Sequence, residues 1–307
     1  MRIRYIINRL AQTMIVLFFV SLFAFMIIRM APGNPARLVL PEGASEELVK
    51  EMEVRMGLDK PLYIQYWKYI SGVLRGDLGV SIANKQEVLK IILGRLPATG
   101  QLTLVTMLIG LGLSIPLGII AGSRQGTFTD FFATLFALFG QAMSRVWLGV
   151  LLIFIFADRL GWFPALGYGG LKYVILPAVT LGYPMAAEIT RIGRSGMIDV
   201  LKEDYITATY AKGISRREVL SKYAFKNALI PIVTLVGVQM GVFIAGTVVV
   251  ETIFSWPGFG QLTYQAVGNR DYALVQSVLL IAAASFAIIN LLVDIVNSVI
   301  DPRITLK

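Results

Sequence analysis

The side chains that could hold a charge or move a proton in a membrane are few: Arg145 lies inside a long apolar block, and Glu188, Glu251 and Asp294 each stand just past the end of one. The 307 residues include no histidine and no cysteine. Their absence removes His-based triads, HExxH zinc proteases, zinc ribbons, iron–sulfur sites and disulfides. Without them, an intramembrane hydrolase would need a Ser–Lys or paired-Asp arrangement, and no such pair stands within an apolar block. No GxxxxGK(S/T) phosphate loop is present, so the chain is not itself an ATPase. The charges that remain suit binding and packing better than bond cleavage.

The elements around those charges have membrane length. Leu10–Ile28, Leu96–Ser123, Asn227–Val250 and Tyr272–Val293 are free of charge, and Phe131–Ala157 carries Arg145 alone. About 20 apolar residues cross a hydrocarbon core of roughly 30 Å, so these five blocks qualify as spans. Tyr173–Ala187 is shorter and interrupted by Pro177, Gly182 and Pro184, and reaches full length by extending toward Ile192. The expectation is an all-α membrane protein with six transmembrane helices. Arg2, Arg4 and Arg9 before the first block resemble a secretory signal, but the apolar run is long and Phe25–Pro32 offers no small-x-small cleavage site, so a retained span is expected.

Charged residues make up 15% of the chain, where a soluble domain carries about 25%. The formal charge of +9 could suggest nucleic acid. With the N-terminus inside, however, short outer loops hold only Arg159, Lys172 and Arg270, while the inner side collects Arg124, Arg191, Arg194, Lys212, Arg216, Arg217 and their neighbours. The excess is a topology signal placing both termini in the cytoplasm, and no nucleic-acid partner is expected. Arg145 falls about 14 residues into its block, roughly 21 Å along a continuous helix and near mid-membrane. Together with Glu188 and Glu251 it is a candidate for lining a pathway. Glu251 and Asp294, near block ends, fit interfacial or packing roles better than transport, and Trp147, Trp162 and Trp256 fit an interface belt as readily as a path.

Two hydrophilic segments can fold. In the outer loop, residues 30–95, Ser45 can cap a helix opened by Glu46 and Glu47 and ended by Gly57. Pro61 suits the first position of a second helix, whose Tyr63, Tyr66, Trp67, Ile70, Val73 and Leu74 share one face. That pair either packs on the membrane surface or forms a docking platform. In the inner loop, residues 191–226, a helix is expected from about Met197 to Lys212, with Val200, Leu201, Tyr205, Ala208 and Ala211 broadly on one face. Gly213 supplies a left-handed terminus, and Ser215-Arg216-Arg217-Glu218 is a capping box opening a second helix. Basic residues flank the small Ala208, Ala211 and Gly213, where a partner's backbone could approach closely; an amphipathic connector lying on lipid is the alternative.

Asp204-Tyr205-Ile206-Thr207-Ala208-Thr209-Tyr210-Ala211-Lys212-Gly213, followed by Asn227-Ala228-Leu229-Ile230-Pro231, resembles the EAA loop of permeases of binding-protein-dependent ABC importers, in the dipeptide/oligopeptide/nickel branch. Other hallmarks stand in order: Ala31-Pro32-Gly33-Asn34-Pro35, Gly57-Leu58-Asp59 with Pro61, Gly76-Asp77-Leu78-Gly79-Val80-Ser81 and Arg95-Leu96-Pro97-Ala98-Thr99. Gly161-Trp162-Phe163-Pro164, Phe254-Ser255-Trp256-Pro257-Gly258, Asn269-Arg270-Asp271-Tyr272 and Asp301-Pro302-Arg303 complete the set. Each motif is weak alone; the ordered set covers the whole chain. Thr207 stands where the loop's acid would be, Tyr223 where a histidine is frequent, and Ser144 where the third span usually has a proline.

The resemblance implies one membrane domain over residues 1–307, in a bacterial or archaeal cell membrane, paired with a second, similar permease. Two ATP-binding subunits would hold ATP and magnesium, this chain binding no cofactor or metal, and an extracytoplasmic binding protein would deliver cargo. Tyr205, Ala208, Ala211, Lys212, Gly213, Ile214, Ser215 and Glu218 would form the coupling surface. Peptides are the implied cargo, with nickel chelates, glutathione-like compounds or oligosaccharides as alternatives. An ion-driven transporter or channel is the different-class alternative, disfavoured by the scarcity of ionisable groups in the spans.

Overall fold

The computed structural model describes residues 2–30, 36–37, 40 and 43–300. The motifs at Ala31–Pro35 and Asp301–Arg303 lie outside the described residues. Helices dominate, and the strand-like pairing seen is an isolated bridge between Val80 and Glu87. In order come α1 (Arg2–Met30), α2 (Glu46–Met56), α3 (Leu62–Leu74), α4 (Val88–Ser123), α5 (Phe128–Ala142), α6 (Arg145–Leu152), α7 (Leu171–Leu201), α8 (Asp204–Ala211), α9 (Phe225–Ala245), α10 (Val248–Ile253), α11 (Phe259–Gly268) and α12 (Tyr272–Ile300). A π-helical stretch, Ile153–Arg159, continues α6. Another, Val219–Ala224, joins the short helix Arg216–Glu218 to α9.

Among the described residues, four helical stretches are long and apolar enough to cross a bilayer: Ile7–Met26, Val88–Ser123, Arg216–Ala245 and Tyr272–Ser298. The block expected as a straight third span is instead two helices, α5 and α6, bent by 103° at Met143–Ser144, and would be a fifth if taken as one crossing. Ser144 is extended (φ −65°, ψ 134°), so the ladder breaks there without proline. Arg145 therefore opens α6 rather than sitting midway along one helix. The fourth apolar block lies in α7, which runs through Pro177 and Pro184 and well past Ile192.

The centre of the bundle is the pairing of α4 with α7. In the absence of a hydrophobic drive between helices in lipid, close approach depends on small residues. A Cβ on Gly118 would lie 3.0 Å from the Thr190 carbonyl oxygen, and one on Gly122 would lie 2.7 Å from that of Arg194. The two backbones touch. Around this seam Leu102, Met107, Leu181, Met185, Ile189 and Ile232 form the main core. A bidentate ion pair of Arg194 with Asp130, whose Oδ2 also accepts from Gly126 N at 2.9 Å, fixes the start of α5 to α7.

The end of the bundle bearing residues 76–99 gathers four of the sequence motifs. Asp271 is fully buried and accepts from Ser81 Oγ, Ala83 N (3.3 Å) and Leu274 N (3.2 Å). Trp256 is fully buried rather than at an interface; its Nε1 donates to the Ala98 carbonyl at 2.9 Å, and Phe259 N donates to Thr99 Oγ1 at 3.0 Å. Trp147 and Trp162 are exposed.

Within the 30–95 segment, the expected helix ends at Ser45 and Gly57 are present. Ser45 Oγ accepts from Leu48 N at 3.3 Å, and Gly57 ends α2 in the left-handed region at φ 74°. Pro61 precedes α3 by one residue instead of opening it. Through Tyr66 and Tyr69, α3 packs on α1 at Phe25. The Tyr69 hydroxyl is buried beside the Gln276 side chain, and burial pushes its pKa up to about 12. Tyr69→Phe keeps the shape and removes the buried hydroxyl, so stability near neutral pH should change by no more than about 1 kcal/mol. The unfolded tyrosine ionises near 10 and the folded one near 12. Its stabilising term is therefore constant below pH 10 and lost between 10 and about 12. Tryptophan-fluorescence melts should show the variant losing less stability over that window; an equal loss would contradict the assignment.

Candidate functional site

The most elaborated polar feature is the helical hairpin between α7 and α9. The expected helix Met197–Lys212 divides: α7 ends at Leu201, and Glu203 turns extended (φ −68°, ψ 143°) before α8 starts at Asp204. The glutamate carbonyl accepts from Ile206 N at 3.0 Å, and Asp204 sits in the first turn where the helix dipole favours an acid. Met197, Val200 and Leu201 thus belong to the bundle. They meet α8 through Ile206 in a small core with Val219, Ala224 and Ala228.

Gly213 has φ 78° and ends the turn. Ser215 Oγ accepts from Glu218 N at 3.4 Å, one half of the capping box. The other half is replaced: the Glu218 carboxylate receives Lys222 Nζ at 2.9 Å. Ile206 and Thr209 face inward and are buried, while Tyr205, Ala208, Ala211, Lys212 and Gly213 are exposed and Ile214 is half-buried.

Two polar bonds missed by sequence reasoning fasten the hairpin to the bundle. Asn227 Nδ2 donates to the Tyr205 hydroxyl at 2.6 Å, linking α8 to the start of α9. Arg216 Nη2 donates to the Ser123 carbonyl at the end of α4, 2.9 Å away. Asn227 lies in the quoted motif, so its presence was legible but its partner was not.

The pathway candidates are not brought together. Arg145 is exposed beside the α5–α6 bend. Glu188, half-buried on α7, accepts from Gln239 Nε2 of α9 at 2.8 Å. Glu251 does not end the fifth apolar helix and does not reach water. That helix stops at Ala245, and Glu251 lies fully buried in α10. Its carboxylate accepts from Thr247 N at 3.0 Å and Gln261 N at 2.9 Å. A Cβ on Gly258 would stand 2.5 Å from Glu251 Oε2, so glycine is needed for the loop to close over the acid. Glu251 is a backbone clamp. Asp294 pairs with Arg9 of α1 at 3.3 Å.

A helical membrane bundle with a core-anchored polar hairpin has the architecture of an ATP-driven importer's membrane subunit. The same fold occurs in a structure titled inward-facing conformations of the MetNI methionine ABC transporter, with a TM-score of 0.56 and 17% identity over 69% of this chain and 97% of that one. The chain belongs to the binding-protein-dependent transport system inner membrane components, whose family description matches residues 114–306, while its N-terminal component matches residues 2–103. It is 38% identical to the glutathione transport system permease protein GsiC of Escherichia coli O6:H1 (strain CFT073), over 99% of this chain and 100% of that protein. It is 37% identical to the dipeptide transport system permease protein DppB of Alkalihalophilus pseudofirmus, over 98% of each. The chain is thus a multi-pass inner-membrane permease of an ABC importer, a transport subunit rather than the ATPase, working with ATPase and substrate-binding partners.

Proposed function

We propose that residues 1–307 form one half of the translocation pathway of a peptide importer, completed by a second permease and served by two ATP-binding subunits that hold ATP and magnesium. The exposed Ala208–Ala211 face of α8, backed by buried Ile206, carries this reading, because it combines a surface open to a partner's backbone with a firm attachment to the bundle. Counting α7 and the bent α5–α6 pair as crossings gives six spans, with both termini and the hairpin cytoplasmic, as the basic residues favour. The segment over residues 30–95 then faces the binding protein. Short peptides are the cargo: the compounds in the two relatives' names, glutathione and a dipeptide, share peptide amides and free carboxylates. Reconstitution with the genetically linked binding protein and ATPases should give ATP-dependent uptake of labelled di- and tripeptides. Uptake of nickel chelates or oligosaccharides in their place would reject the cargo, and uptake without ATPases would reject the class.

Arg145 tests the path itself. Its guanidinium, exposed at the bend, is proposed to attract a passing peptide's carboxylate. Arg145→Gln keeps polarity and similar length, and should slow free-carboxyl peptides several-fold while sparing amidated ones. Equal slowing of both, or loss of assembled complex, would assign Arg145 a structural bond.

A further inference from the structure

Between Ala186 and Leu201, the exposed residues of α7 are Arg191, Ser195 and Asp199, and the half-buried Glu188 continues their row at helical spacing. Ile189, Thr190, Gly193 and Met197 on the other faces are buried. The open face of this helix is therefore its charged one. Its depth follows from the seam with α4, where Thr190 lies level with Gly118 and Arg194 with Gly122. The charge-free run of α4 continues to Ser123. Arg191 thus sits about 6 Å, and Glu188 about 10 Å, inside the apolar end of its neighbour. Charged groups at such depth face protein or water in preference to lipid.

A cavity of about 320 Å³ opens on this face, lined by Arg191, Ser195, Gly196 and Asp199 of α7 and by Pro231 of α9. Among the described residues, the side chains of Arg191 and Asp199 have no ion-pair partner. Glu188, by contrast, is engaged by Gln239 Nε2 at 2.8 Å. The two unpaired charges are opposite in sign and stand eight residues apart, about 12 Å of helix. A peptide of two or three residues carries opposite charges at its ends and spans at most about 7–11 Å. The flexible arginine covers the remainder. A phospholipid headgroup has the same two signs, but beyond Arg191 its acyl chain would lie along Glu188 and Gln239 instead of an apolar wall. We propose that this face of α7 is a subsite for peptide termini in the half of the pathway next to the hairpin, with the cargo's carboxylate at Arg191 and its ammonium at Asp199. This subsite rests on the peptide reading above and adds to it the residues that hold both ends of the cargo.

The chain contains no cysteine, so a thiol introduced here is its only one. In the assembled importer, Ser195→Cys and Glu188→Cys should react with a membrane-impermeant methanethiosulfonate, either variant serving if the other fails to assemble. Trialanine supplied with its binding protein and ATP should slow modification at residue 195 about threefold or more. Arg191→Gln and Asp199→Asn remove no core contact, since both residues are exposed. Each should lower uptake of labelled trialanine about tenfold at equal permease content, and Arg191→Lys should recover most of the loss. Wild-type uptake separates the two readings: without it the peptide reading fails and the subsite with it, whereas normal uptake in both neutralised variants rejects the subsite alone. Thiols that react only with a lipid-soluble maleimide would make this a lipid-facing surface. Thiols unreactive with both reagents would make it a packed contact with the second permease, and either result overturns the proposal.

Discussion

Ala208→Glu should abolish cargo-stimulated ATP hydrolysis while leaving the permease folded and in the membrane. Ala208 is exposed on α8, so a longer side chain meets nothing within this chain's core, whose contacts are made by Ile206. At a closed interface with an ATPase, the added carboxylate would be buried without a partner. An uncompensated buried charge costs about 3–5 kcal/mol, and about 1.4 kcal/mol is tenfold in affinity. Docking should therefore weaken by at least about a hundredfold. Ala208→Ser, nearly isosteric, should keep most of the stimulation. Gly213→Val supplies a second route to the same loss, since φ 78° is a conformation that β-branched residues tolerate poorly. Normal stimulation by cargo-loaded binding protein in an assembled Ala208→Glu importer would show that α8 is not the docking surface.

Trp256→Ala should be the most damaging single truncation at the opposite end. Trp256 is fully buried, bonded through Nε1 to Ala98 and packed edge-on against Tyr168 with ring centroids 5.0 Å apart. Truncating a core tryptophan costs about 3–5 kcal/mol, and the melting temperature in detergent should fall on the order of 5–10 °C. Trp256→Phe keeps most of the packing and loses the hydrogen bond, for about 1 kcal/mol. An unchanged melting temperature for the alanine variant would mean that this loop is not part of the cooperative fold.

What the sequence revealed was governed by short-range rules. Ser45, Gly57, Gly213 and Ser215 each act within one helical turn of their own position, and each is found in its expected conformation. The apolar blocks were legible because membrane thickness fixes their length. The breaks were not. Glu203 is an adequate helix former that turns extended where α8 must leave the line of α7, and Ser144 interrupts an apolar run with neither proline nor glycine. Both are dictated by what the following helix packs against. Glu251 was misplaced for a related reason: nothing near it in sequence announces that Gly258 and Gln261 fold back over the carboxylate. The Trp256–Ala98 bond joins residues 158 apart, and the Arg9–Asp294 pair links the first long helix to the last. Such pairings require a register between helices that periodicity alone does not supply.

The glycine seam between α4 and α7 bears on how such a machine could move. At Gly118 the nearest atoms across the seam are all backbone, so no side chain there acts as a bearing, and at Gly122 the Met197 side chain and the Arg194 carbonyl close the same gap, so that sliding one helix past the other would force these groups together. The two helices therefore make a single strut. Arg216 is bonded to the end of α4, while α7 ends two residues before α8 begins, so both members of the strut terminate at the hairpin. A push on α8 is delivered to the strut as a whole, and whatever opens or closes must be the parts that rock around it.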